Sequence, residues 1–373
     1  IVMDLEKLIN SGLKGIKPYI PGTPIIEVLK KYGIKNPIKM NSNENPIGIS
    51  KKALGKAKKL LHSANIYPDP SNRKLVNTIA TIYNLSPDCV AVGSGADELI
   101  YYLAMVFINN GDNAVIPEIT FPIYETAVRI MRGNIKKSKM KGYKIDTEAI
   151  LNTIDQHSKM IFFCNPNNPT GDAIGHKDFY DFLKKLPQDI ILVVDEAYGD
   201  FAEIEDFPET VELMKSEFKN LVIIKTMSKS HGFAGLRVGY CMANSSIIEL
   251  INRIRLPFNL NYISQEAATE ALLDISFYNK TIKTIKEGKK MLYRFFDELG
   301  LNYIPSNTNY ILVDTGFPAE KITERLMEKG ILVRNATPYG FPTFIRVSIG
   351  TKRQNRIFMK NFKEIYLRIR GNT

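Results

Sequence analysis

Lys229 stands between Ser228 and Ser230 in the run TMSKSHGFAGLRVGY, and Arg237 follows in the same stretch. A lysine amine in water is protonated at neutral pH and does not attack carbonyls. Desolvation and neighbouring cations both lower its pKa. Most lysines lie on solvated surfaces, but the residues before this one, LVIIK, have the pattern of a buried strand. Lys229 therefore falls where a strand ends. A desolvated lysine beside an anion-binding arginine is suited to Schiff-base chemistry. On this reading Ser228 and Arg237 hold a phosphate, and the lysine nitrogen bonds to the aldehyde of the cofactor that carries it.

Three other stretches carry compatible chemistry. IILVVDEAYGDF ends an apolar run on Asp195, with Tyr198 three positions later. A carboxylate there is either a solvated loop residue or the partner of a protonated ring nitrogen, which keeps a heterocycle electron-poor. Tyr198 could offer its hydroxyl to the same ring. CNPNNPTG is a double turn whose asparagines either cap local turns or, at Asn168, donate an amide to a phenolate oxygen. VGSGADELI places Gly95, Ala96 and Asp97 between a strand and a helix, where backbone N–H groups can cradle a phosphate. This last stretch lacks the GK[ST] of a P-loop, and Glu98 stands where a dinucleotide fingerprint needs glycine. An ordinary helix-start turn is the alternative.

These residues need a frame that brings them together. Strand-like runs at Val90 to Val92, Ala114 to Ile116, Met160 to Cys164, Ile190 to Val194, Leu221 to Lys225 and Val238 to Met242 alternate with helical stretches. Runs rich in Val, Ile and Phe without polar alternation predict strands buried on both faces, hence an α/β unit with a mostly parallel sheet. The polar stretches all follow strands, at the carboxyl edge where open α/β sheets bind ligands. Beyond about residue 275 the pattern changes to a long helix, Phe277 to Leu299, and then three strands and two helices. We expect a large domain over 46–275 and a smaller α+β domain from 1–45 plus 276–373.

Composition excludes several classes. The net charge of +11 arises from lysines scattered along 373 residues, with no basic stripe or nucleic-acid motif. Solvated lysine faces explain it, and no nucleic-acid partner is expected. Three cysteines without CxxC and four histidines give no disulfide framework and no metal-ligand spacing. The longest apolar run, Leu99 to Ile108, is about half a bilayer span, and no signal-peptide pattern opens the chain. A cytoplasmic protein with no membrane partner is the expectation.

Taken in chain order, the Gly-Ala-Asp turn, the Asn turn, the strand-end Asp and the Ser-Lys…Arg stretch resemble the fold-type I pyridoxal 5′-phosphate-dependent aminotransferases, over essentially the whole chain. That resemblance implies a mostly parallel mixed sheet flanked by helices, and a homodimer with active sites at the subunit interface. It implies that Lys229 carries the cofactor and shuttles a proton between substrate Cα and cofactor C4′. Asp195 would pair with the pyridinium nitrogen, and Asn168 and Tyr198 with the phenolic oxygen. Ser228, Arg237 and the Gly95-Ala96-Asp97 turn would hold the phosphate, with Phe121 stacked on the ring unless it is simply core. The segments KPYIPGTPIIEVLKKYG and IKMNSNENPIG, which carry Tyr19 and Asn43, resemble those of histidinol-phosphate aminotransferases, as does YPDPSNRKL around Tyr67. The resemblance makes Tyr19 and Asn43 substrate-facing and directs Tyr67 to the neighbouring subunit's phosphate site. It makes Arg334 and Arg346, in LVRNATPYG and FIRVSIGT, the substrate-anion residues. Glutamate or 2-oxoglutarate and histidinol phosphate would then be the small-molecule partners. A threonine-phosphate decarboxylase, an aromatic or aspartate aminotransferase of the same fold, and a non-catalytic phosphate-ligand regulator are the competing readings.

Overall fold

The computed structural model describes residue 5, residues 8–18 and residues 24–371. Tyr19 lies outside the described residues. Two sheets organise the chain. The larger has seven strands in the order Val90–Gly93, Gly239–Met242, Leu221–Thr226, Ile191–Asp195, Ser158–Cys164, Asn113–Pro117 and Asn134–Ser138. All neighbours are parallel except Gly239–Met242, which runs antiparallel to both of its partners. Leu192, Val193, Val194, Leu221, Val222, Ile223 and Ile224 have no exposed surface, as strands covered on both faces require.

Helices supply the two covers. Arg73–Ile82, His176–Lys185 and Tyr262–Leu272 contribute to one core, built around Phe163, Phe179 and Val194. Ala96–Phe107, Ile123–Ile130 and Ser245–Ile254 contribute to the other, around Leu103, Tyr124 and Phe162. In each case the apolar residues recur at helical spacing, so one stripe faces the sheet.

The smaller sheet has five strands in the order Ile38–Met40, Ile331–Asn335, Phe344–Ser348, Tyr310–Asp314 and Tyr303–Ile304. Ile38–Met40 is parallel to Ile331–Asn335, which is antiparallel to Phe344–Ser348, so Arg334 and Arg346 lie side by side as register partners. Ile275–Glu298, Ala319–Glu328 and Lys352–Gly371 cover this sheet over a core of Phe296, Leu326, Phe358 and Phe362. No helix among the described residues is long and apolar enough to cross a membrane, and none of their His, Cys, Asp and Glu side chains cluster as a metal site.

Candidate active site

The carboxyl ends of the large sheet and one edge of the small sheet enclose a cavity of about 330 Å³. Thirteen of the expected residues can be followed in it by name. Ala96, Asp97, Phe121, Asn168, Asp195, Tyr198, Ser228, Lys229, Arg237, Asn43, Arg334 and Arg346 line it, while Gly95 lies immediately behind Arg237. Tyr67 does not line it: the residue is 78% exposed, and its ring stacks on Phe258 at 4.6 Å between centroids.

Lys229 follows directly from the strand Leu221–Thr226 through a tight loop. Met227 donates its N–H to the Val238 carbonyl at 3.0 Å, and Phe233 donates to Met227 at 3.0 Å. The next side chain, Ser230, bonds Asp200 at 2.5 Å and the His231 ring at 2.9 Å, which anchors the loop behind the lysine. Lys229 itself points into the cavity, donating to the Ser42 carbonyl at 3.3 Å. Burial and then the nearby Arg346 charge bring its pKa down to about 8, with Arg237 adding a smaller push. The desolvated, cation-flanked amine that the sequence required is present.

Asp195 closes the neighbouring strand. Its Oδ2 accepts from the Tyr124 hydroxyl at 2.7 Å and its Oδ1 from the Ala197 N–H at 2.9 Å. Burial nevertheless raises its pKa to about 6 against these two donors. Such a carboxylate is stabilised by any cation brought next to it. Tyr124 was not foreseen: a tyrosine on the buried face of Ile123–Ile130, stacked on Phe162 at 4.8 Å, reads in sequence as core. Its one signal is its place three residues after Phe121, which lies just ahead of the helix and meets its ring edge-on at 5.6 Å.

The phosphate-type turn has a specific geometry. Gly95 adopts φ 85°, and a Cβ there would sit 2.4 Å from Arg237 Nη2. Only glycine allows the arginine to pack so closely. Arg237 itself has φ 55°, a conformation uncommon for a residue with a side chain and one that collects at functional sites. Its guanidinium meets Asp97 at 3.4 Å. The helix Ala96–Phe107 starts here with no side-chain cap, and Ala96 and Asp97 of its first turn line the cavity.

Across the cavity, Arg346 is buried, with Nη1 donating to Asn168 Oδ1 at 2.9 Å and Nη2 to the Asn41 carbonyl at 3.3 Å. Its guanidinium lies 5.0 Å from the centre of the Tyr310 ring, and Nε is buried without a hydrogen-bond partner. Because Asn168 accepts from Arg346 through its oxygen, its amide N–H groups are the ones presented elsewhere. Asn43 donates to the Tyr198 hydroxyl at 2.9 Å and accepts from Ser348, locking the tyrosine in place. Lys39, Asn41, Glu44 and Tyr339 also line the cavity and were not singled out in sequence.

Comparison with known proteins agrees with this geometry. The model of the family "Aminotransferase class I and II" matches residues 35–362. Among relatives, the histidinol-phosphate aminotransferase of Moorella thermoacetica is 39% identical over 356 residues, covering 95% of this chain and 92% of that protein. Histidinol-phosphate aminotransferase 2 of Carboxydothermus hydrogenoformans is 37% identical over 359 residues, covering 96% and 99%. The crystal structure of histidinol-phosphate aminotransferase from Sinorhizobium meliloti in complex with pyridoxal-5′-phosphate shares the fold at a TM-score of 0.88 and 24% identity, over 97% of this chain and 98% of that one. A strand-end lysine, a buried strand-end carboxylate and a glycine-cradled arginine, in a chain matched along most of its length, make this protein a member of the class I and II aminotransferases.

Proposed function

We propose that the protein is a histidinol-phosphate aminotransferase dependent on pyridoxal 5′-phosphate, moving an amino group between glutamate and imidazole acetol phosphate in histidine biosynthesis. The observation that carries this reading is the pairing of Arg334 and Arg346 on adjacent strands, facing the same cavity as Lys229. A phosphate-bearing amine and a dicarboxylate must share that cavity, and guanidinium groups pair bidentately with either anion.

The residues present fit the cofactor. Arg237, Ser228 and the first turn at Ala96 and Asp97 form a cradle for its phosphate. Asp195, whose pKa is raised by burial, suits a pyridinium partner. Phe121 offers a ring face, and Tyr198 and Asn168 offer donors to its phenolic oxygen. When bound, the cofactor supplies an electron sink for the substrate Cα–H bond. Lys229 Nζ would carry the proton between substrate Cα and cofactor C4′. Arg346 fixes the substrate anion and thereby the orientation of that bond.

Residues 46–275 on this reading form the cofactor domain, and 1–45 with 276–373 the smaller one. The protein acts as a homodimer: Ile66, Tyr67, Leu256 and Phe258 form an exposed apolar cluster suited to a second copy, to which Tyr67 would lend its hydroxyl. Three free cysteines suit a reducing cytoplasm. Adding histidinol phosphate to the loaded enzyme should convert its visible absorption to that of the pyridoxamine form. Carbon dioxide release from threonine phosphate, without that conversion, would favour the decarboxylase instead.

The Asp195 carboxyl also sets a stability test. Its folded pKa of about 6 lies above the ordinary 3.8. The group therefore contributes stability that is full below the ordinary value and is lost as pH rises through about 6. The difference is worth roughly 3 kcal/mol. In urea unfolding of the apoprotein, Asp195→Asn should gain on wild type by about that amount between pH 4 and pH 7. Loading with pyridoxal phosphate should erase the gain, because the carboxylate then has a cationic partner. A difference that stays flat with pH contradicts this account.

A further inference from the structure

Two ion pairs have both members lining the cavity: Arg237 with Asp97 at the phosphate-type turn, and, away from that turn, Lys39 Nζ with Glu44 Oε1, 2.5 Å apart. The side chains of Lys39 and Glu44 are 27% and 40% exposed, so both can exchange partners with a ligand. Lys39 lies on the strand Ile38–Met40, paired with Leu332, and so belongs to the same sheet edge as Arg334 and Arg346. Glu44 follows it in the loop that also carries Ser42, whose carbonyl accepts from Lys229. The pair is therefore on the substrate side of the lysine, not on the side of the Arg237 cradle.

The two donors in the proposed reaction differ in what they carry beyond the reacting carbon. If the phosphate of one and the α-carboxylate of the other share Arg346, the remaining site must hold an imidazole in one half-reaction and a carboxylate in the other. These groups have opposite needs: an imidazole N–H wants an acceptor, whereas a carboxylate wants a cation. A single fixed charge would serve one and repel the other. A breakable ion pair offers both signs, and each ligand displaces the member of its own kind.

We propose that Lys39 and Glu44 are the specificity-determining pair for the distal group, Glu44 accepting from the imidazole of histidinol phosphate and Lys39 pairing with the distal carboxylate of glutamate. This assignment rests on the substrate reading above. Glu44 also raises the Lys229 pKa, so its loss touches both half-reactions through the amine. What belongs to the pair is therefore the ratio of the two substrates, not either rate alone.

The test measures kcat/KM for histidinol phosphate and for glutamate in separate half-reactions of the loaded enzyme. Glu44→Gln should lower the histidinol phosphate value relative to glutamate by about tenfold, and Lys39→Met should lower glutamate relative to histidinol phosphate by a similar factor. The changes should lie mainly in KM. Cofactor absorption and melting temperature, measured on the same samples, show that both variants are folded and loaded. Opposite shifts in the ratio support the pair. Ratios unchanged from wild type, in an enzyme that turns over both donors, overturn this assignment and leave the substrate reading standing. A wild-type enzyme inert toward histidinol phosphate overturns both.

Discussion

Lys229→Ala should lose transamination by about 10,000-fold or more, the upper range of a positioned acid–base group. Nothing else in the cavity can replace the amine. Guanidinium groups, such as those of the arginines lining the cavity, do not serve as proton acceptors, and Lys39 Nζ is engaged with Glu44 in the unliganded cavity. Lys229→Arg separates charge from proton transfer: it keeps a cation at the position but cannot give up a proton near neutral pH. It should be as inactive as the alanine variant. Misfolding is not the expected cause. The lysine pKa is lowered to about 8, so the folded protein disfavours the charged form and stability from this group is lost as pH falls through that value. Removing the amine removes that penalty, and apoprotein melting temperatures should be at or above wild type near pH 7. Borohydride treatment of the loaded wild type, followed by peptide mass mapping, should mark Lys229. Activity within tenfold of wild type in the alanine variant would remove the basis for the mechanism.

How much of this site could be read from sequence follows from where each residue sits. Asp195 closes a run of apolar residues, where a polar residue has few structural uses, and Lys229 stands three positions past the end of another buried strand, Leu221–Thr226, with Arg237 near it in sequence, so both stood out. Arg237 stood out by its nearness to the lysine, but the reason for Gly95 beside it did not. That close approach joins the start of a helix to a loop far along the chain, and only the antiparallel insertion of Gly239–Met242 between Val90–Gly93 and Leu221–Thr226 brings the two together. The mostly parallel sheet was legible from unalternated Val and Ile runs; the direction of that one strand was not, because it depends on the path of the connection. Tyr124 was hidden for a different reason: aromatic packing and hydrogen bonding to Asp195 make the same demand for a buried ring. Lys39 and Glu44 were hidden because charged residues near a strand end read as solvated surface, and nothing local shows that this edge faces a cavity.

The same cavity predicts that Arg346→Ala impairs both half-reactions, not only the one with a phosphate. Arg346 is the buried member of the arginine pair, held by Asn168, the Asn41 carbonyl and the Tyr310 ring, and its Nε has no protein partner. A guanidinium fixed on one side and short of one acceptor is prepared for an anion at low ordering cost. Truncating one partner of a buried charge pair costs on the order of 2–5 kcal/mol. We therefore expect kcat/KM to fall by about 100- to 1,000-fold for glutamate and for histidinol phosphate alike. A second signature distinguishes this from simple loss of binding. Arg346 is the leading charge that lowers the Lys229 pKa, after burial itself. Its removal should raise that pKa and move the acidic limb of the pH profile upward in both half-reactions. Arg346→Lys should keep part of the pKa effect, because the charge stays, but lose most of the binding, because an ammonium cannot make the two-pronged contact. Glutamate kinetics equal to wild type in Arg346→Ala would show that the two anions use different sites, and the shared-arginine account would fall.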